Sequence, residues 1–213
     1  MSVNLNPEKA LIFRIVHAAN VPWILDYGLH CRNSAEQDPA YINIGNKDLI
    51  DHRTRRRVPI PPGGVLSDYV PFYFTPFSPM MLNIKTGYGG ITRRENRDIV
   101  ILVSSLHHMA ELEIPFLFTN QHAYTVDAEF FHRVEDLNRI DWSLLQSRNF
   151  KTDDADPGKS ARYQAEALVH RHVPLDALFG LGCHDERVRE QLHSMVETRG
   201  LSLSVKPTPI WYF

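Results

Sequence analysis

The sequence has few cysteines and no long apolar run, and each shortage excludes a class of protein. Its two cysteines, Cys31 and Cys183, are too far apart to form a CxxC pair, which favours a reducing compartment. The longest uninterrupted apolar run, residues 99–103, is far too short to cross a membrane. Charged residues between Glu8 and Arg14 interrupt the first apolar stretch, which argues against a signal peptide. We therefore expect a cytoplasmic protein with no membrane segment.

Several common functional signatures are also missing. The sequence contains no GxGxxG, P-loop, HExxH or GxSxG motif. The net charge is −2, so any polyanion must be held by local patches of positive charge. His170, His172, Cys183 and His184 are possible zinc ligands, but neighbouring residues such as Cys183 and His184 point to opposite faces of a strand. We therefore expect no metal.

The length and composition predict one globular α+β domain that spans residues 1–213. The chain has 213 residues, of which 43% are hydrophobic and 23% charged, and no linker or repeat divides it. Pro22 and Gly28 bound a predicted short helix, while Asp185 and Gly200 bound a longer one. Residues 98–105 form the clearest buried strand.

The stretch "RYQAEALVH", residues 162–170, allows two interpretations. Its Gln, Ala, Glu and Leu residues favour a helix. As a strand, it would place Gln164 and Glu166 on one face and turn Tyr163 into the core. A Gln/Glu pair on one face of an otherwise apolar strand is typical of a functional site, although a three-residue pattern is unspecific.

The densest basic run is "HRTRRR", residues 52–57, at the end of a helix predicted for residues 47–57. Arg53 and Arg57 would share one helical face, while Arg55 and Arg56 would point elsewhere. Most charge runs are solvated, but guanidinium groups also bind anions as planar forks. The pattern therefore predicts that one or two of these arginines face a pocket.

Five stretches of this chain together resemble one known family. They are "RIVHAANVPWILDYGLHCRNS", "VPIPPGGVLSDYVPFYFTPFSPMMLNI", "IVILVSSL", "FTNQHAY" and "RYQAEALVHRHVP". In this order they are similar to the DarT family of bacterial toxins, which ADP-ribosylate single-stranded DNA. The resemblance covers nearly the whole chain. It implies the α+β ADP-ribosyltransferase fold, with two facing mixed or antiparallel sheets, an NAD cleft between them and peripheral helices.

The resemblance also implies roles for individual residues. Glu166 and Arg53 match the catalytic acid and arginine, and Gln164 and His122 match positions that face the acceptor base. On this view residues 162–170 form a strand, and Arg55, Arg56 and Arg57 are solvated. The sequence departs from wider transferase patterns in two ways, since it has no Ser-Thr-Ser element and its expected catalytic arginine, Arg53, is not on the first strand. The expected NAD contacts are His17, Asn20, Gly28, Leu29, Tyr73, Phe74, Ser78 and Met80.

The long polar loop before Glu166 is where transferases recognise their targets. Its acidic residues Asp153, Asp154 and Asp156 would repel a nucleic-acid backbone, so we do not expect DNA to follow the whole loop. Tyr163 would have to turn outward to stack on a base. The expected DNA contacts, several of which could instead be simply solvated, are Arg148, Lys151, Lys159, Arg162 and Tyr163.

The function that the resemblance implies is transfer of ADP-ribose from NAD, used as a substrate, to a base of single-stranded DNA. The resemblance implies thymidine or guanosine as the modified base, and thymidine is favoured. A monomer with a DarG-like macrodomain antitoxin as its partner is expected. One alternative is a transferase that modifies protein or RNA, and another is a binding module without turnover. The presence of Glu166, Arg53 and His17 together argues against the binding module.

Overall fold

A computed structural model describes residues 4–213 as an α+β protein. Its helices are α1 (Val21–Tyr27), α2 (Lys47–Arg53), α3 (Pro79–Thr86), α4 (Leu106–Glu111), α5 (Trp142–Ser147), α6 (Lys159–Arg162) and α7 (Glu186–Thr198). Its strands are β1 (Leu11–His17), β2 (Leu29–His30), β3 (Tyr69–Tyr73), β4 (Ile99–Ser105), β5 (Phe116–Thr119), β6 (Phe130–Phe131), β7 (Glu166–His170), β8 (His172–Val173), β9 (Gly180–Cys183) and β10 (Ser204–Pro207).

One boundary with little strand pairing divides the main sheet into two halves. Its strand order is β10-β9-β4-β1-β3-β7-β5-β6, and only β9 and β10 pair in parallel. β1 pairs with β4 along its whole length, but it meets β3 at a single residue pair, Phe13 with Tyr73. The strands therefore diverge at the β1–β3 boundary, and this opening places a cleft in the middle of the sheet. β2 and β8 form a separate antiparallel ribbon.

The core is built around the strand that the sequence identifies most clearly. In β4, Ile99 to Leu102 are at most 1% exposed, because both faces of this strand are covered. A continuous apolar run, rather than an alternating one, is expected for such a strand. The predictions for α1 and α7 are confirmed as well, with Gly28 ending α1 and the Asp185 side chain accepting a hydrogen bond from the Val188 N–H at the start of α7.

Two predicted elements differ from the structure in their extent. Helix α2 ends at Arg53 instead of residue 57, because the Thr54 backbone N–H and hydroxyl both donate to the Asp51 carbonyl and close the last turn. Residues 162–165 continue a helical turn, and the strand begins only at Glu166. Here the local helical propensity prevails up to Ala165, and pairing with β3 and β5 takes over from Glu166.

No helix between residues 4 and 213 has both the length and the apolar character that a bilayer crossing requires.

Candidate active site

Glu166 is the first residue of β7, and its carboxylate is held by two separate segments of the chain. The Arg53 Nη1 donates to its Oε2 at 2.8 Å, and the Ala123 backbone N–H donates to its Oε1 at 3.0 Å. Glu166 is only 2% exposed, so both contacts form in a region of low dielectric. An ion pair of this kind fixes geometry, and removing one partner would leave a buried, uncompensated charge.

The surroundings keep Glu166 ionised despite its burial. Burial alone would raise the pKa of this carboxyl, but the positive charge of Arg53, the proximity of His122 and the Ala123 hydrogen bond together lower the pKa below its ordinary value. Glu166 is therefore a carboxylate throughout the neutral range. It presents a fixed negative charge to the cleft.

His122 lies near the Oε1 atom of Glu166, and its imidazole is neutral. Burial and the nearby Arg53 lower the pKa of its imidazole, and the opposing effect of Glu166 is smaller than that of burial. Its Nδ1 accepts a hydrogen bond from the Tyr124 backbone N–H at 3.2 Å, which requires an unprotonated Nδ1. The remaining proton is then on Nε2, which lies 3.9 Å from Glu166 Oε1.

The cleft that contains Glu166 opens where β1 and β3 diverge, and it has a cavity volume of about 220 Å³. Its walls come from β1, β3, α2 and the segment between β2 and α2. Several side chains expected at an NAD or acceptor site therefore line one cavity. The candidate residues on its lining are Gly28, Leu29, Arg53, Tyr73, Met80, His122 and Glu166.

Gly28 is required by the close packing of this wall. Its φ is +77°, and a Cβ there would lie 2.5 Å from the Val173 carbonyl oxygen and 2.7 Å from His172 Nε2. Any larger residue would push the β2–β8 ribbon away from α1. The glycine thereby sets the width of the cleft next to Leu29.

Four expected NAD contacts do not line the cleft. Phe74 is fully buried and packs edge-to-face on Phe118 and Trp142, so the expectation that it lines the cleft is corrected. Ser78 is also fully buried, and its hydroxyl caps α3 by accepting a hydrogen bond from the Met81 N–H.

His17 and Asn20 have local roles in the turn after β1. The His17 Nδ1 accepts from the Ala19 N–H. The Asn20 side chain is 1% exposed and exchanges two hydrogen bonds with the Ile42 backbone, at 2.9 and 3.0 Å. Asn20 thus positions the segment that supplies Tyr41 and Asn43 to the cleft wall, instead of lining it.

Gln164 does not share a strand face with Glu166. It lies in the helical turn after α6, where its Nε2 donates to the Ser160 carbonyl at 3.0 Å. The two-residue spacing places both side chains on one face only if both residues are extended. This part of the prediction is therefore wrong for the structure as it stands.

The cations expected to contact DNA in the loop before Glu166 mostly have partners within the protein. Arg162 binds Asp156 through Nη1 and Nη2, at 3.0 and 2.6 Å, and its Nε lies 3.4 Å from Asp141. Lys159 lies 3.7 Å from Asp153. These acids already compensate the two positive charges.

The other members of that group differ from one another. Tyr163 is 1% exposed and its hydroxyl donates to the Phe77 carbonyl, so it cannot stack on a base without leaving the core. The Arg148 guanidinium lies 5.3 Å from the centre of the Phe77 ring. Lys151 is exposed to solvent.

Two functional candidates were missed by the sequence reasoning. Arg14, on the first strand, lines the cleft, and its Nη1 donates to the Pro71 carbonyl across the β1–β3 opening. A single charge inside an apolar strand was a signal that could have identified it. Arg56, expected to be solvated, is part-buried, and its Nη2 donates to the Thr125 carbonyl at 2.8 Å.

The cleft is suited to an anionic or carbonyl-rich ligand. The Nε of Arg14 and the Nη2 of Arg53 are buried and have no hydrogen-bond partner among residues 4–213. Buried donors of this kind usually have a partner, so a bound molecule with acceptor oxygens would complete the site. Across the same residues, no group of three or more His, Cys, Asp or Glu side chains is placed to hold a metal ion.

Comparisons with known proteins agree on one family. The family model described as "ssDNA thymidine ADP-ribosyltransferase, DarT" matches residues 13–213. The chain is 52% identical over 212 residues to the DNA ADP-ribosyl transferase of Escherichia coli O127:H6, covering 100% of this chain and 97% of that protein. It is 35% identical over 189 residues to that of Thermus sp. 2.9, covering 87% of each.

Two solved structures of the Thermus sp. 2.9 DarT are similar to this one. The complex with ADP-ribosylated ssDNA superposes with a TM-score of 0.90 at 30% identity, covering 100% of both chains. The complex with NAD+ superposes with a TM-score of 0.84 at 31% identity, covering 97% of this chain and 99% of that one.

Proposed function

Because the chain belongs to the DarT family of single-stranded-DNA ADP-ribosyltransferases, we propose that it transfers ADP-ribose from NAD to thymidine in single-stranded DNA. It is an NAD-dependent DNA ADP-ribosyltransferase, and NAD is its substrate. The observation that carries this function is the buried Glu166 carboxylate, held by Arg53 and the Ala123 N–H inside a cleft with unpartnered arginine donors.

The reaction breaks the bond between nicotinamide and ribose and joins the ribose carbon to a ring nitrogen of the base. Positive charge develops on the ribose as the first bond breaks, as it does in glycoside hydrolysis. Glu166 is ionised and fixed before the reaction, so its charge needs no reorganisation when the ribose becomes positive. We assign it the role of stabilising that charge.

The acceptor must also lose a proton. The thymine ring nitrogen carries a proton near neutral pH, and this proton passes to water as the new bond forms, so the net reaction releases nicotinamide and one proton. Arg53 is well placed to lower the cost, because one of its nitrogens binds Glu166 while Nη2 remains available for a carbonyl oxygen of the base. His122, with its proton on Nε2, serves as a second donor towards the acceptor.

Gly28, Leu29, Tyr73 and Met80 are the proposed NAD contacts that line the cleft. Burial raises the pKa of Tyr73 and keeps its phenol neutral, and its hydroxyl donates to the Met80 sulfur at 3.7 Å. The pair therefore offers an apolar surface with one polar atom, which suits a planar ring such as nicotinamide.

The toxin assignment concerns the cellular role. We propose that the enzyme acts in the cytoplasm as a monomer, and that a DarG-like macrodomain antitoxin removes its product from DNA. The support is the family resemblance, since a modified base on single-stranded DNA requires an enzyme that recognises ADP-ribose to reverse it. Co-expression with such a macrodomain should restore growth to cells that the active enzyme arrests.

One experiment separates the proposed activity from its alternatives. Purified protein is incubated with labelled NAD and, in parallel, single-stranded DNA, duplex DNA, RNA or a protein mixture. We expect label on single-stranded DNA, because a base in a duplex must first be unstacked and unpaired. Label on protein or RNA alone would support the other transferase, and no label with retained NAD binding would support a binding module. Glu166→Gln is the matched inactive control.

A further inference from the structure

An exposed aromatic pair lies beside the active site. The rings of His52 and Tyr124 are stacked, with centroids 5.6 Å apart and planes at 14°. Tyr124 remains 38% exposed, and His52 is exposed as well. Neither ring lines the cleft, so the pair stands outside it.

Chain connectivity places this pair beside the two residues that hold Glu166. His52 directly precedes Arg53, which binds one oxygen of Glu166, and Tyr124 directly follows Ala123, which binds the other. Each of the two residues that hold the catalytic carboxylate therefore has an aromatic ring as its sequence neighbour. A nucleotide adjacent to the target base would pass close to these rings.

Besides their contact with each other, the two rings are positioned by hydrogen bonds of the segments that carry them. Arg56 Nη2 donates to the Thr125 carbonyl, which ties the segment after α2 to the segment after β5 a second time. The Tyr124 backbone N–H is bound to His122 Nδ1. Stacking on a ring that is already ordered costs little further conformational entropy.

The charge around the pair suits a nucleic acid. Arg55 and Arg57 follow His52, are exposed, and have no ion-pair partner within the described part of the chain. The same loop as Tyr124 also presents Val126, which is 86% exposed. Exposed rings beside unpaired cations are the combination that binds single-stranded nucleic acid.

We propose that the Tyr124–His52 pair is a stacking platform for a DNA base next to the target thymidine. This inference rests on the proposed function and adds a binding subsite to it. Since every base has a π-face, the platform adds affinity for a flanking nucleotide with little sequence preference of its own. His52 stacks on one face of the Tyr124 ring, and we assign the base to the other face.

The test measures KM for a set of oligonucleotides that contain one target thymidine and one abasic site at a chosen flanking position. With wild-type protein, an abasic site at the stacked position should raise KM about tenfold, within the range that base–aromatic stacking supplies. Tyr124→Ala should raise KM for the intact oligonucleotide by a similar factor. Combining the two should give no further increase, because both remove the same contact.

The matched variants separate stacking from folding. Tyr124→Phe keeps the ring and should retain the wild-type KM, whereas Tyr124→Leu keeps apolar bulk and should behave like Tyr124→Ala. Phe179→Ala is the surface control, since Phe179 is 44% exposed and its ring packs on His108, away from the cleft. If Tyr124→Ala does not fold, the Phe and Leu variants decide the question.

Two results would overturn the platform. One is an unchanged KM in Tyr124→Ala and Tyr124→Leu. The other is a KM of Tyr124→Ala that an abasic site raises further at every flanking position, since no base would then share a contact with Tyr124. Failure of the proposed function is different, because the wild type would then label none of the oligonucleotides. In that case fluorescence anisotropy with the same oligonucleotides would still measure whether Tyr124 binds a base.

Discussion

Two segments of this protein are rich in positive charge, and they use it in different ways. In residues 52–57, Arg53 reaches the buried Glu166 and Arg56 ties down the loop after β5, while Arg55 and Arg57 remain exposed. In residues 148–162, Arg162 and Lys159 bind acids of the protein itself.

The difference arises from where acidic residues lie. The second segment contains Asp153 and Asp156, which lie within reach of its own cations and form ion pairs with them. Asp51 directly precedes the first segment, but its carboxylate binds Arg32. The number of cations in a segment is therefore a poor guide to how many of them remain unpaired. A better guide is whether a carboxylate without another partner lies nearby.

The strongest way to break this comparison is to remove Arg53. Arg53→Ala should lower the single-turnover rate on a single-stranded oligonucleotide about 10²–10³-fold, as expected for loss of a preorganised charge. It should also lower the free energy of unfolding by about 3 kcal/mol, since Glu166 stays buried without its partner. Arg53→Lys should not restore the rate, because one ammonium cannot replace two separate guanidinium donors.

Arg162→Ala is the control for that measurement in the second segment. Its ion pairs are about one-third exposed, and such pairs contribute up to about 1 kcal/mol. The variant should keep a rate close to the wild type. An inactive Arg162→Ala with an active Arg53→Ala would reverse the assignment of the two segments.

Arg56 tests whether the first segment acts as a single unit. Removal of its hydrogen bond to Thr125 releases the loop that holds His122 and Ala123 against Glu166. A hydrogen bond from a charged donor is worth about 1.5–3 kcal/mol, so Arg56→Ala should slow single turnover by about 10- to 10²-fold. Arg56→Lys should recover part of the rate, and a wild-type rate in Arg56→Ala would show that the loop holds its position without this contact.

What the sequence could predict follows the same distinction between local and distant partners. The ends of α1 and α7 depend on Pro22, Gly28 and Asp185, whose effects act within one turn, and they were predicted well. The end of α2 depends on a local hydrogen bond that the Thr54 hydroxyl makes with the backbone. The charge pattern does not indicate this hydrogen bond. The start of β7 depends on neighbouring strands and could not be obtained from its own residues.

The candidate site follows the same rule. Glu166 and Arg53 were found through the resemblance, and no sequence spacing alone places them 2.8 Å apart. The Ala123 contact comes from a backbone N–H, which every residue but proline carries, so it leaves no sequence signal. Gln164 was misplaced because the two-residue period holds only inside a strand.

The pH dependence of activity sharpens the picture of the first segment. Burial and Arg53 lower the pKa of His122, so it is neutral at pH 7 and gains a proton only below its ordinary value of about 6.5. A proton on Nδ1 removes the acceptor of the Tyr124 N–H and so disturbs the position of His122, and activity should therefore fall on the acid side with a midpoint below pH 6.5. Glu166 does not contribute in this range, because its pKa is lowered from an already acidic value.

The same shift has a consequence for stability. The unfolded chain takes up a proton on His122 more readily than the folded chain, so the stability that His122 contributes is present above about pH 6.5 and declines below it. His122→Gln should remove this decline, along with the acid limb of the activity profile. Rates and melting temperatures measured from pH 7.5 to 5.5 for both proteins check the prediction, and an acid limb that persists in His122→Gln would contradict it.

The smallest expected effect concerns DNA affinity. The net charge of −2 and the internal pairing of Arg162 and Lys159 leave few free cations, so the dependence of affinity on salt should be shallow. Arg55→Ala and Arg57→Ala should each reduce the salt slope by about 1, whereas Lys159→Ala should change it less. Anisotropy of a labelled oligonucleotide at several salt concentrations measures all three slopes. A larger change for Lys159→Ala would mean that DNA displaces Asp153 from it, and the second segment would then supply the binding charge after all.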